Sequence, residues 1–215
     1  MGIKPKKNQG GDFERVTFPI GPVVMTLEKI VARHFEGGFE AKEPVKLMLI
    51  WKDADGDEFT DFVSFPKGFG FNEKSAFWNR MAALIGKPQL TEDDLEGFDI
   101  ELPHVDEDSD DPVAEFLSFL RDPETLKPKL NPENQKPWSI AIDGITFEGE
   151  KVVGKQCVLQ MKPKTDKDGK VQEGNKVAAD GAIPLNAMGT GKKKSGGQTQ
   201  APPPQAASSA AAAMP

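Results

Sequence analysis

Apolar and polar residues alternate along much of this chain with the period of two that marks half-buried β-strands. Residues 23–35 form one long candidate, with Met25, Leu27, Val31 and Phe35 interleaved with charge. Residues 45–51 and 59–65 are two stronger ones. Between them lies Lys52-Asp-Ala-Asp-Gly-Asp57, whose Asp55-Gly56 pair signals a hairpin turn. A second hairpin is predicted nearer the C-terminus, where 152–161 and 171–178 flank Thr165-Asp-Lys-Asp-Gly169. Residues 138–142 alternate as well and add a further strand.

The period changes to that of a helix between the two hairpins. Asn72 is the expected N-cap, and Gly86 with Pro88 stops the segment. Phe77, Met81 and Leu84 then face the core. A short helix is predicted after Asp110 or Asp111, with Pro112 in its first turn and Val113, Phe116, Leu117 and Leu120 on one apolar face. Three strands, a helix and two more strands is the order of a five-stranded OB-fold barrel; an all-β sandwich with a crossover helix is the alternative. The expected layout is a flexible basic arm at 1–12 and an OB-like domain at 13–186 carrying an acidic insert at 91–137. A disordered Lys/Gly/Pro/Ala-rich tail follows at 187–215, where no segment buries enough apolar area to offset ordering entropy.

Charge alters the picture more than composition does. The formal net charge of the 215 residues is -7, which speaks against a polyanionic partner if spread evenly. It is not spread evenly. Residues 1–90 hold 13 basic and 12 acidic side chains, 91–150 hold 4 and 18, and 151–215 hold 10 and 4. The acidity is one segment, and the rest of the chain is mildly basic. Eleven carboxylates fall between Glu92 and Asp111. They read as a solvated acidic loop, or as a mimic of phosphate charge that covers a basic surface or recruits basic replication or recombination proteins.

An Asp55-Gly56 turn predicts pairing of Ile50 with Asp61, Trp51 with Thr60 and Met48 with Val63. One face of that hairpin would then carry Val45, Leu47, Leu49, Trp51 and Phe62 toward the core. The opposite face would carry Lys46, Met48, Ile50, Lys52, Phe59, Val63 and Phe65. Rings between lysines suit a single-stranded nucleic acid, because bases stack on aromatics while ammonium groups hold phosphates. The following segment adds Lys67, Phe69, Lys74, Trp78 and Arg80, an aromatic-basic loop leading into a helix N-terminus. The competing reading is that these rings are core, the commoner fate of Phe.

Other chemistry finds little support. One cysteine and two histidines exclude a disulfide framework and a cysteine- or histidine-rich metal centre. Cys157 sits in an apolar strand pattern, as a structural cysteine would. Asp53-Ala-Asp-Gly-Asp-Glu58 fails the EF-hand spacing, since its glycine falls at loop position 4 rather than 6. No phosphate-binding glycine loop or nucleophile elbow occurs. No catalytic residue, cofactor or metal is expected, and a carboxylate enzyme using a divalent metal ranks last. One reduced cysteine fits a cytoplasmic protein, which is the expectation, and no apolar run reaches the length of a membrane span.

The run Trp51-Lys-Asp-Ala-Asp-Gly-Asp-Glu-Phe59, with Asn72-Glu-Lys-Ser-Ala-Phe-Trp78 and Ala83-Leu-Ile-Gly86, resembles small phage-encoded proteins with an OB-like domain. Gly154-Lys-Gln-Cys-Val-Leu159 and Asp168-Gly-Lys-Val171 match the later part of that pattern. The resemblance covers roughly residues 23–86 and 150–185. It implies a single-stranded DNA-binding or accessory protein of phage DNA replication or recombination, without enzymatic activity. The alternative is a structural or interaction module of a phage particle or replication complex. Self-association into a homo-oligomer is compatible with both. The basic Lys192, Lys193 and Lys194 would add salt-sensitive affinity.

Overall fold

The computed structural model describes residues 17–35, 44–66, 69–166 and 168–189. The predicted basic arm, most of the tail including Lys192 to Lys194, and Lys67 lie outside the described residues. Ala187, where the tail was expected to begin, instead sits in a 3-10 helix, Leu185–Gly189.

The described residues are mainly β, in two antiparallel sheets. Its elements are β1 (Gly21–His34), β2 (Val45–Lys52), β3 (Glu58–Ser64), α1 (Ala76–Leu84), α2 (Glu92–Leu95), β4 (Phe98–Glu101), α3 (Pro112–Leu120), β5 (Ser139–Ala141), β6 (Gly144–Phe147), β7 (Glu150–Lys151), β8 (Gln156–Thr165) and β9 (Val171–Pro184). The larger sheet runs β3-β2-β1-β8-β9, and β5 also pairs with β1. The smaller sheet is β4-β6-β7. The five expected strands are therefore present, with α1 between the third and fourth. Among the described residues β3 and β9 form no ladder, so the sheet is open and the predicted closed barrel is not observed.

Long β1 has three partners, with β2 along one edge and β8 followed by β5, at residues 31–33, along the other. Residues 21–26 pair with β8, and 26–34 pair with β2. A bulge between Leu27 and Lys29 shifts the alternation by one residue. Met25 and Leu27 point inward before it, and Ile30, Ala32 and His34 after it. Val31 therefore turns to the opposite face, where it is nonetheless buried.

The core packs the inner sheet face against α1 and part of the insert. Phe77, Met81 and Leu84 are buried as the helical period predicts, and Phe116 and Leu120 of α3 join them. Asp111 caps α3 by accepting from the Ala114 N–H at 2.9 Å, with Pro112 at the first helical position. The cap of α1 differs from expectation. Asn72 accepts from the Lys74 N–H in a preceding turn, so the helix begins after Ser75.

The insert is more ordered than its charge suggested. It contains α2 and β4 besides α3, and Leu95, Phe98, Ile100, Leu102 and Val105 pack on the core. It is neither a bare acidic loop nor a segment with a single helix. The β4–β6 approach requires Gly144, where a Cβ would lie 2.8 Å from the Glu101 carbonyl oxygen.

The seam between β3 and β9 is spanned by one buried side chain. Arg80 is fully buried, and its Nε donates to Asp61 Oδ2 of β3 at 2.8 Å. Nη1 donates to the Ala179 carbonyl at 2.8 Å and Nη2 to the Ala178 carbonyl at 2.9 Å, both on β9. Burial pushes the Asp61 carboxyl up, against the downward pull of the Arg80 guanidinium.

Candidate nucleic-acid interface

The register of the β2–β3 hairpin decides which side chains reach solvent. The observed pairs are Lys46↔Ser64, Met48↔Phe62, Ile50↔Thr60 and Lys52↔Glu58. Each differs by one residue from the expected pairing. The cause is Asp53. Its side chain accepts from the Asp55 and Asp57 N–H groups at 3.0 and 2.9 Å, and the Gly56 N–H donates to its carbonyl at 3.3 Å. Gly56 then takes φ of +88°, the glycine-favoured position that follows a type I turn in a three-residue loop. A two-residue turn on Asp55-Gly56 would have given the other register. The β8–β9 hairpin repeats the device, with Asp166 accepting from Asp168 and Lys170 and with Gly169 at φ +80°.

A one-residue slip exchanges the faces of β3. Phe59, Asp61 and Val63 turn inward with Val45, Leu47, Leu49 and Trp51. Phe62, expected inside, turns outward and is 58 % exposed. The outer face across β1, β2 and β3 thus carries Lys29, Arg33, Lys46 and Lys52, with Val31, Met48, Ile50, Thr60 and Phe62 between them. The Arg33 guanidinium lies 5.6 Å from the ring of Phe35, which meets Phe62 edge-on at 5.5 Å. Arg33, Phe35 and Phe62 form one aromatic-cation cluster at this end of the sheet. Glu28 and Glu58 are the carboxylates nearest the opposite end, and Glu28 lies 3.5 Å from Lys52.

Of the nine residues proposed from sequence, Lys46 and Lys52 stand on this face. Lys46 Nζ donates to Ser64 Oγ at 3.1 Å, within reach of Phe62 along the same strand. Lys74 is exposed just before α1, in a groove it shares with Ser64, Phe65 and Phe71. The aromatics are corrected. Phe59 is buried edge-on against Phe18, and Phe65 is buried between Phe69 and Phe116. Phe69 is half-buried at φ +50° and packs on Phe65 and Phe77, stapling the loop to the helix. Trp78 is buried and donates from Nε1 to the Gly70 carbonyl at 3.0 Å. In these positions none of the four rings offers a stacking face like that of Phe62. Arg80, bound within the seam, does not point at solvent as a phosphate contact would.

Sequence reasoning missed Lys29, Arg33, Phe35 and Phe62. Phe62 was legible only with the correct turn, and Arg33 only with the β1 bulge.

The described residues contain no cluster of His, Cys, Asp and Glu arranged to hold a metal ion. Cys157 is buried, and burial pushes its thiol up to about 12. None of their helices is long and apolar enough to cross a membrane.

What the geometry defines is an antiparallel β protein presenting a basic, aromatic-bearing sheet face. No protein-family model matches the sequence, and no curated protein matches it.

Proposed function

We propose that this is a single-stranded DNA-binding protein acting in DNA replication or recombination, of the phage-encoded OB-like kind its motifs resemble. The observation that carries the reading is the outer sheet face, where exposed Phe62 lies among Lys29, Arg33, Lys46 and Lys52. A ring open to solvent on a flat sheet offers a stacking surface to any base, and the surrounding cations offer partners for successive phosphates. The strand order β3-β2-β1-β8-β9, with α1 after β3, supports an OB-like relationship in which Arg80 bridges the strands that a barrel would pair. The face formed by the second and third strands is where such folds bind oligonucleotides.

Association with oligothymidine, followed by anisotropy of a labelled strand, tests the reading. Four phosphate contacts give a slope of log affinity against log salt of about -3. Phe62→Ala should weaken binding about tenfold, the lower part of the range for loss of one stacked base. Absence of binding at low salt, or binding indifferent to salt, refutes it.

A further inference from the structure

The insert contains a short tandem repeat that lies beside a pocket. Asp122-Pro-Glu-Thr-Leu-Lys-Pro128 is followed nine residues later by Asn131-Pro-Glu-Asn-Gln-Lys-Pro137. The two copies fold alike. The Asp122 and Asn131 N–H groups each donate at 2.8 Å, to Lys127 and Lys136 carbonyls respectively. The side chains of Asp122 and Asn131 accept from Glu124 and Glu133 N–H groups. Leu126 and Gln135 occupy the same left-handed conformation, at φ +56° and +57°.

Each copy closes back on the rung before it. The Lys129 N–H donates to the Leu120 carbonyl at 3.0 Å, and the Trp138 N–H donates to the Lys129 carbonyl at 3.1 Å. Residues nine apart thereby become neighbours. His34 Nε2, at the end of β1, lies 3.0 Å from the Leu126 carbonyl and ties the first copy to the sheet. Lys129 and Trp138, which follow the two copies, line a cavity of about 530 Å³ together with His104, Phe119, Ser139 and Ala141, among others. That volume is within the ordinary range of small-ligand sites.

Three features of this cavity point to a ligand. Phe119 and Trp138 are 40 % and 38 % exposed, whereas Trp51 and Trp78 are buried. His104 is held at φ +67° with its ring 5.5 Å from that of Phe119, a conformation uncommon for a residue with a side chain. Ser139 and Ala141 pair directly with Arg33 and Val31, and these with Lys46 and Met48. Directly paired residues share a sheet face, so Ser139 and Ala141 of the lining stand on the face that carries Phe62, while Ile140 stands on the other. Three strand spacings, about 14 Å, separate Ala141 from Phe62.

We propose that this pocket holds one unstacked nucleobase of the same single strand, between Phe119 and Trp138, with the Lys129 ammonium serving the adjoining phosphate. The inference rests on the reading of the sheet face as a single-stranded DNA surface. The neighbouring groove, which shares Pro103 and Ala141, is lined by Asp99, Glu101 and Asp143 against the single cation Lys151, and is net acidic. Those carboxylates repel a phosphate, so the backbone stops at the pocket rim and the base is what enters. The bound path therefore ends here, at the border of the insert.

The full chain, titrated with labelled oligothymidine, is followed by strand anisotropy and by its own tryptophan fluorescence together. Trp138 is the exposed indole, so binding should quench part of the emission. Trp138→Phe should abolish the quenching with affinity changed by less than about threefold, because a ring is kept. Trp138→Ala should weaken binding about tenfold. Unchanged circular dichroism and unchanged emission of Trp51 and Trp78 exclude misfolding. Binding by anisotropy without quenching, or quenching that survives in Trp138→Phe, overturns the pocket and leaves the sheet-face reading standing. That outcome would also be seen if the pocket received a protein segment instead. No anisotropy change at all overturns both.

Discussion

The Arg80 bridge separates a structural guanidinium from a phosphate contact most sharply. Replacing Arg80 by Leu removes a donor from Asp61 and two from the carbonyls of Ala178 and Ala179. The Asp61 carboxylate then stays buried without a partner. Removing one member of a buried ion pair costs about 3–5 kcal/mol, and the two orphaned carbonyls push the value toward the upper end. A domain this size has about 5–15 kcal/mol to lose. With a urea dependence of about 2 kcal/mol per molar, the unfolding midpoint should fall by about 2 M. The deficit has a pH signature as well. Asp61 is already shifted upward by burial, and without Arg80 it binds its proton more tightly in the folded than in the unfolded chain. The variant should therefore lose stability further as pH rises above the ordinary carboxylate range near 4. Asp61→Leu combined with Arg80→Leu removes the stranded charge and should recover part of the loss. Urea unfolding followed by tryptophan fluorescence reads all of this. A cost below about 1 kcal/mol for Arg80→Leu, with a reduced salt slope of oligonucleotide binding, would refute the bridge and return Arg80 to the binding surface.

Two further groups have shifted titrations that can be tested. The Cys157 thiol, pushed up to about 12 by burial, should react with iodoacetamide at pH 8 more than about a hundredfold slower in the native protein than in urea, and rapid native labelling would contradict its burial. Asp94 accepts from Lys87, and next from the Thr91 N–H, and is held down at about 2. Because this shift is downward, its stabilising effect is present above the ordinary aspartate range and is lost as pH falls toward 2. Lys87→Gln should raise the Asp94 value measured by carboxyl NMR titration, though not fully, since Thr91 still donates; an unmoved titration would remove Lys87 as the leading cause.

The strands of the main sheet were legible because their alternation is strong. Residues 45–51 and 59–65 could hardly be anything else. What alternation cannot supply is phase. Asp53 lengthens the β2–β3 turn by hydrogen bonds from its carboxylate, and that single side chain moves Phe59 inward and Phe62 outward. The bulge at Glu28 does the same to Val31 in β1. Both events are local, and both relocate the face on which the functional reading depends. The acidic insert was misread for a different reason. Its carboxylates dominate the composition, while Leu95, Phe98 and Ile100, spaced among them, form the apolar side of α2 and β4. The nine-residue repeat was visible as Asx-Pro-Glu at a fixed interval, but it has no apolar period, so a search for helices and strands passes over it.

The folded insert also constrains how charge works in this molecule. A flexible acidic loop could lie across the basic face and lift away when a nucleic acid arrives. This insert is unsuited to that role, because Phe116 and Leu120 are in the core and β4 is paired to β6. Deleting residues 91–111 would remove α2, β4 and apolar side chains packed on the core, so the loss of stability would mask any gain in affinity. The carboxylates of the insert, with Asp143 of the β5–β6 turn, act instead as fixed neighbours. Asp99, Glu101 and Asp143 border the face beside β5, while Lys46 and Arg33 stand one and two strands from the exposed Phe62-bearing edge. A polyanion laid on the sheet meets attraction over β1 to β3 and repulsion past β5. On the proposed function, the acidic segment would set one limit of the bound strand, beside the Trp138 pocket.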